Sequence, residues 1–259
     1  MSMAGEGWNT AVTSIAPNQI RVRGYRIDEL MGTVPFGSAV YLILRGELPE
    51  PAVGRVVEAM LVASIDHGVT PPSTLSVRNA ASTGAPLNAC LAAGALAVNR
   101  HHGGAVEDCM RLLARGAALL AGGASAAQAA TQLVGDEKAA GRRLPGWGHR
   151  VHSDDPRSRR LLELARDAGV AGAHVAVAEA IVGELAKGGK QLPLNVDGAI
   201  AALLADLGFA PELANGFFIL ARTAGWMAHV AEELAREKPM RRIDQGAASY
   251  DGPPPRNLP

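Results

Sequence analysis

The chain is poor in aromatics, at 4% of its 259 residues, holds two cysteines and carries no surplus charge of either sign. Scarce aromatics beside abundant alanine and leucine argue against a strand-built core and for close-packed helices, so a mostly helical protein is expected. Cys90 and Cys109 are far apart and form no Cys-x-x-Cys pair, which argues against a disulfide framework or a zinc site and fits a reducing cytoplasm. Lysine plus arginine and aspartate plus glutamate both number 25. No global field therefore draws the chain to nucleic acid or to an anionic membrane, and any anion site must be local. The longest apolar tract, Ala85 to Val98, carries Asn88 and falls short of the roughly 20 residues that span a bilayer. It reads as a buried helix. Met1 to Ile15 has no basic start followed by an apolar run, so export is not expected.

What is present is a succession of helical patterns. Pro51 opens a run in which Val56, Val57, Met60, Leu61 and Ile65 recur at helical spacing until Gly68, beside His67. Helices are expected over 85–100 and 106–120, broken by His101-His102-Gly103-Gly104, with a bent one between 121 and 143. Amphipathic segments follow at 161–168 and 173–186, then 199–207, then a long helix from Pro211 to about Arg236. Four prolines in 252–259 predict an extended arm.

Three separated stretches each place a proton-transfer group beside glycine: His101-His102-Gly103-Gly104, Gly146-Trp147-Gly148-His149-Arg150 and Asn195-Val196-Asp197-Gly198. Two imidazoles and one carboxylate suit acid/base chemistry at carbon. Taken singly each has a plainer reading. Asp197 before a helix reads as an N-cap, and His102 as a loop histidine held by a carbonyl. His149 shares its loop with Arg150 and Arg157, where an anion could land. Arg222, among Phe217, Phe218 and Trp226, must either pair with something, a substrate carboxylate being one candidate, or snorkel to solvent. No His-Glu-x-x-His or clustered ligand set appears, and no metal site is expected.

In order along the chain, Arg21-Val22-Arg23-Gly24-Tyr25, Phe36 to Pro49, Asp66-His67 with Ser73-Thr74 and Arg78, His102-Gly103-Gly104-Ala105, Pro145 to Arg150, Asp155-Pro156-Arg157, Asn195-Val196-Asp197 and Ala221 to His229 resemble the citrate synthase superfamily. In brevity the chain is most similar to the citryl-CoA lyase branch, the module that forms the C-terminal part of ATP-citrate lyase. The resemblance implies an all-α, citrate synthase-like fold: a large helical domain, 1–103 plus 209–259, with an inserted smaller domain, 104–208, closing over a cleft. It implies a homodimer or larger homo-oligomer. Catalytic roles fall on His102, His149 and Asp197, and carboxylate-holding roles on His67, Arg157 and Arg222, with Arg241 or Arg242 reaching across the dimer. Thr70-Pro71-Pro72 and Arg241-Arg242-Ile243 depart from the family pattern.

The implied activity is cleavage of citryl-CoA to acetyl-CoA and oxaloacetate. Small molecules are then the only substrates, the coenzyme A thioester serving as substrate or product and no further cofactor being needed. Alternatives are a synthase that condenses acetyl-CoA with oxaloacetate and a non-catalytic sensor of CoA or dicarboxylates.

Overall fold

The protein is described here by a computed structural model covering residues 8–99, 102–103, 105–148, 154–189, 191–242 and 244–258. Among these residues eleven α-helices dominate, and one three-stranded antiparallel sheet stands near the N-terminus. No helix among them is long and apolar enough to cross a membrane. The chain divides into two compact units, 1–67 with 98–225 and 68–97 with 226–259.

In the first unit β1 (Thr13–Ala16), β2 (Gln19–Val22) and β3 (Tyr25–Arg26) pair with Ile15 opposite Ile20 and Val22 opposite Tyr25. Arg23 and Gly24, both at positive φ, make the tight turn from β2 to β3. This sheet departs from the purely helical expectation. A short α1 (Ile27–Leu30) leads to α2 (Phe36–Arg45) and α3 (Pro51–Ala63), which pack on each other. Proline at the start of α3 costs nothing, because its missing N–H lies among those a helix start leaves unpaired.

The rest of this unit is built around α10 (Val196–Asp206), against which α6 (Ala105–Ala121), α8 (Pro156–Asp167) and α9 (Ala173–Lys187) pack. Val196 and every residue from Gly198 to Leu204 are buried. Helices apolar on all sides belong in a core, and the sequence Gly-Ala-Ile-Ala-Ala-Leu-Leu-Ala supplies one. α7 (Ala126–Ala139) packs on α6 and α9. It starts at a reciprocal capping box formed by Ser125 and Gln128. α8 begins five residues before the expected start, capped by Asp155 with Pro156 behind it. At the other end of α10, Asp206 accepts the backbone N–H groups of Gly172, His174 and Val175 and the ring of His174, tying the start of α9 to the end of α10.

In the second unit α4 (Pro72–Ser82) crosses α5 (Leu87–Leu96) closely, because Gly94 leaves no Cβ where Val77 and Trp226 lie. The double proline of the departing turn opens α4. α5 was expected to be buried, yet only Cys90 and Gly94 are, while Leu87 and Leu96 are exposed. α11 (Ala214–Arg236), entered through a 3₁₀ turn at Pro211–Leu213, continues from the first unit into the second. Residues 248–258 carry no helix or strand.

A tight backbone contact lies at the start of α10, where a Cβ on Gly198 would stand 2.4 Å from the Gly146 carbonyl oxygen and 2.5 Å from Leu194. Gly198→Ala is expected to lower the stability measured by urea denaturation by about 2 kcal/mol through overpacking. Gly135→Ala, in α7 with nothing within 4 Å, is the control and is expected to gain up to about 1 kcal/mol.

Candidate active site

The site grows from a short ribbon. Residues 146–148 run antiparallel to 193–195, bonded from Gly148 N to Pro193 O at 2.8 Å and from Asn195 N to Gly146 O at 3.0 Å, with Trp147 opposite Leu194. Asn195 then caps α10 by accepting the Gly198 N–H at 3.1 Å. The cap is therefore Asn195 and not Asp197, which stands inside the first helical turn with its carboxylate released from capping. Fully buried Asp155 ties in α8: one oxygen accepts the Arg157 N and Nε groups, each at 3.0 Å, and the other accepts Arg157 Nη2 at 2.9 Å and Val196 N at 3.1 Å. Ser158 Oγ donates to the Leu194 carbonyl at 2.7 Å. The starts of α8 and α10 and the 146–148 segment are thus one hydrogen-bonded assembly.

His102 is placed by a separate turn. Its backbone N–H and carbonyl pair reciprocally with those of Asn99, each at 2.8 Å. Gly103 follows at φ +74°, where an added Cβ would stand 2.8 Å from Val98 and 3.0 Å from Phe218. The position demands glycine on both counts. The half-buried His102 ring meets Phe218 edge-on at 5.7 Å. Phe218 also carries Arg222, whose guanidinium carbon lies 4.6 Å from the ring centroid.

Arg222 is 3% exposed, so it does not snorkel. Its Nε donates to the Ser64 carbonyl at 2.8 Å, and among the described residues it forms no salt bridge with a carboxylate. Close by on α11, Gly225 leaves room for the backbone of Ile65 and for Asp66. Together these contacts pin the 64–66 segment, after which comes exposed His67.

Charge couples these groups. Burial raises the Asp197 carboxyl above the usual carboxylate range, Arg157 and Arg222 pull it back, and Asp155 adds to the rise. His102 is held below the ordinary imidazole value by burial and then by the positive charge of Arg222. Burial lowers Arg222 too, against the opposing pull of Asp66 and Asp197. Asp155 behaves oppositely to Asp197. Burial alone would raise it, but the bonds from Arg157 and Val196 bring it below the usual range. Buried Cys109 is pushed up by burial and by Asp197, and is held as the thiol.

His102, Asp197, Arg157 and Arg222 thus stand in one electrostatic neighbourhood, with His67 on the segment that Arg222 holds. His149 lies outside the described residues, one peptide bond beyond Gly148. Arg241, in the second unit, is engaged within the chain: its Nε donates to Glu233 at 2.8 Å and its Nη2 at 2.5 Å, while Arg78 Nε donates to the same buried carboxylate at 2.8 Å. Arg242 is exposed and makes no hydrogen bond among the described residues. Sequence reasoning missed Asp155, Asn195 and Phe218. Asp155 had a readable signal, an N-cap residue before proline. Phe218 had half a signal, its four-residue spacing from Arg222 on one helix, while its contact with His102 comes from the fold.

Beside Trp147 a cleft of about 880 Å³ opens, with Leu144, Trp147, Leu185 and Leu192 as apolar wall and Lys138 and Arg143 among its cations. Among the described residues no group of three or more His, Cys, Asp or Glu side chains could hold a metal ion.

Residues 49–243 match the family described as Citrate synthase, C-terminal domain. Putative citrate synthase 2 of Mycobacterium tuberculosis is 32% identical over 216 residues, 81% of this chain and 54% of that protein. Citrate synthase 2 of Bacillus subtilis is 28% identical over 81% of this chain and 54% of its own length. The chain spans about half the length of these curated relatives. Among solved structures, citryl-CoA lyase from Hydrogenobacter thermophilus is 43% identical with a TM-score of 0.88, covering 97% of both chains. ATP citrate lyase of Methanosaeta concilii, 22% identical over 95% of this chain and 42% of that one, shares the fold at a TM-score of 0.82.

The two aspartates make opposite predictions. A carboxyl whose pKa is raised on folding stabilises the fold while protonated, and that contribution is lost as pH rises through the raised value. Asp197→Asn is therefore expected to melt above wild type at pH 7, the gap closing as the pH falls toward the unfolded value of about 3.9. The depressed Asp155 stabilises above its unfolded pKa and loses that contribution as pH falls through the folded one. Asp155→Asn is expected to cost about 3 kcal/mol at pH 7 by breaking a buried pair. Melting curves of both variants from pH 2 to 8 check the signs.

Proposed function

Since the chain belongs to the citrate synthase family, we propose that it cleaves citryl-CoA to acetyl-CoA and oxaloacetate. The observation that carries this reading is the juxtaposition of a desolvated, raised Asp197 with a buried Arg222 that forms no salt bridge among the described residues. End-to-end similarity to a citryl-CoA lyase supports the direction.

His149 takes the hydroxyl proton of citryl-CoA, the carbon–carbon bond breaks, and the electron pair passes into the thioester as an enolate. Neutral His102 donates a hydrogen bond to the thioester oxygen and holds that charge. Asp197, whose raised pKa favours the acid form, gives its proton to the enolate carbon and completes acetyl-CoA. One proton is taken and one given, so the reaction needs neither water nor a separate cofactor. Arg222 and Arg157, with His67, hold the carboxylates of the oxaloacetate half. Asp155 already occupies Nε and Nη2 of Arg157, which leaves Nη1 for substrate.

The cleft beside Trp147 suits the coenzyme, its apolar wall for adenine and pantetheine and Lys138 and Arg143 for phosphates. Residues 104–208 are the segment we assign to the closing small domain. A homodimer would cover Leu87 and Leu96 of α5 and Leu220, Met227 and Leu234 of α11, all exposed in the single chain. Arg242, rather than the engaged Arg241, is then the arginine that crosses to the second copy. Two buried thiols, Cys90 and Cys109, fit the reducing cytoplasm.

The curated relatives named as citrate synthases favour a second reading, condensation with thioester hydrolysis. Incubation with citryl-CoA, following oxaloacetate with malate dehydrogenase and NADH, is expected to show turnover. Sustained release of free CoA and citrate from acetyl-CoA plus oxaloacetate would overturn the lyase in favour of the synthase. Failure to cleave citryl-CoA or to exchange acyl-CoA methyl protons with solvent would leave a sensor. Asp197→Asn is expected to slow cleavage about a hundredfold or more while calorimetry still shows oxaloacetate binding. Arg143→Glu is expected to raise the KM for citryl-CoA with little change in kcat.

A further inference from the structure

Asn195 uses both ends of its side-chain amide. Its Oδ1 accepts the Gly198 N–H at 3.1 Å, capping the turn that carries Asp197, and its Nδ2 donates to the Gly148 carbonyl at 2.8 Å. Its backbone N–H meanwhile donates to the Gly146 carbonyl at 3.0 Å. The amide orientation is fixed by its partners, because a flip would set oxygen against the Gly148 carbonyl and an NH₂ group against the Gly198 N–H. The Gly148 carbonyl belongs to the peptide group whose nitrogen is that of His149. One side chain therefore ties together the first turn of the helix bearing the carboxylate and the peptide leading into the second imidazole.

We propose that Asn195 is a positioning residue that fixes the Gly148 peptide, from which the chain enters His149, to the first turn of the helix bearing Asp197, in addition to capping α10. This rests on the acid/base reading above. Asn195 needs no contact with substrate and acts through the Gly148 peptide. Asparagine is the one good capping residue that combines an acceptor for its own helix with a donor long enough to reach a second chain segment. Aspartate caps equally well but presents no donor, and serine caps but carries a shorter side chain.

That difference separates the two roles. Asn195→Ser keeps a cap of similar strength and adds no charge, so its Tm is expected within about 4 °C of wild type. Its cleavage of citryl-CoA is expected to fall about ten- to a hundredfold in kcat, the scale of a misplaced catalytic group, with KM nearly unchanged. Exchange of acetyl-CoA methyl protons with deuterium oxide depends on Asp197 and His102 and not on His149. It is expected to stay near the wild-type rate. Asn195→Asp, which also caps without donating, is expected to lose cleavage as the serine variant does.

Full cleavage activity in Asn195→Ser would overturn the proposal and leave Asn195 a cap alone. An equal fall of cleavage and exchange would overturn it too, because the effect would then reach Asp197 directly. Hydrogen exchange read by mass spectrometry gives an arm that needs no turnover. In the serine variant the peptide covering 144–150 is expected to lose protection while α10 keeps its own, and unchanged protection over 144–150 would overturn the proposal whatever the enzyme does. A wild type that neither cleaves nor exchanges would sink the proposed activity, and the exchange-protection result would still decide what Asn195 holds.

Discussion

The contact between Gly146 and Gly198 is the constraint from which the site follows. There the backbone leading toward His149 lies on the first turn of α10 with no room for a methyl group on either residue: a Cβ on Gly146 would meet Cys109 Sγ at 2.7 Å and Gly198 Cα at 2.8 Å. Such closeness is possible because α10 is sheathed by α6, α8 and α9 and cannot retreat. The ribbon between 146–148 and 193–195 then orients the loop, and Asp155 brings Arg157 to the same place. The Asp197 carboxylate, Arg157 and the segment that leads to His149 are all referred to one helix start.

Around that start the electrostatics run toward neutrality. Burial raises Asp197 and lowers His102, two shifts of opposite sign that both favour the uncharged form. Arg222 keeps its charge at the centre, supported by a backbone carbonyl and by the face of Phe218. A buried cation among groups tending to neutrality is costly until an anion arrives, which suits substrates bringing two or more carboxylates. The same desolvation strengthens a hydrogen bond to a developing enolate. Stability is given up at Asp197 and recovered at Asp155, whose carboxylate is fully satisfied.

Much of this was readable before any coordinates. Helices α3, α6 and α9 follow from apolar periodicity with proline or glycine punctuation, and the motif glycines marked the turns at His102 and at 146–148. The misses have local causes. The β1–β3 sheet is built from strands of four, four and two residues, too short for alternation to register. α5 reads as buried because apolar residues surround it, and a sequence does not say whether the cover comes from its own chain. Taken alone, Asp197 reads as the cap of α10, because Asn195 and Asp197 are both good capping residues and spacing alone does not choose between them.

The sequence by itself determined the helical class, the neutral balance that confines charge to local sites, and the set of acid/base groups with their glycine flanks. These are properties of residue type and short-range spacing. Only the tertiary structure decided that Asn195 caps so that Asp197 is released, that Arg157 is held by Asp155, that Arg241 is spent on Glu233, and that Phe218 touches both His102 and Arg222. The contact of Phe218 with His102 joins segments more than a hundred residues apart, which no local pattern encodes; the other pairings are between near neighbours in the chain, and the packing around them decides which of several local partners each group takes.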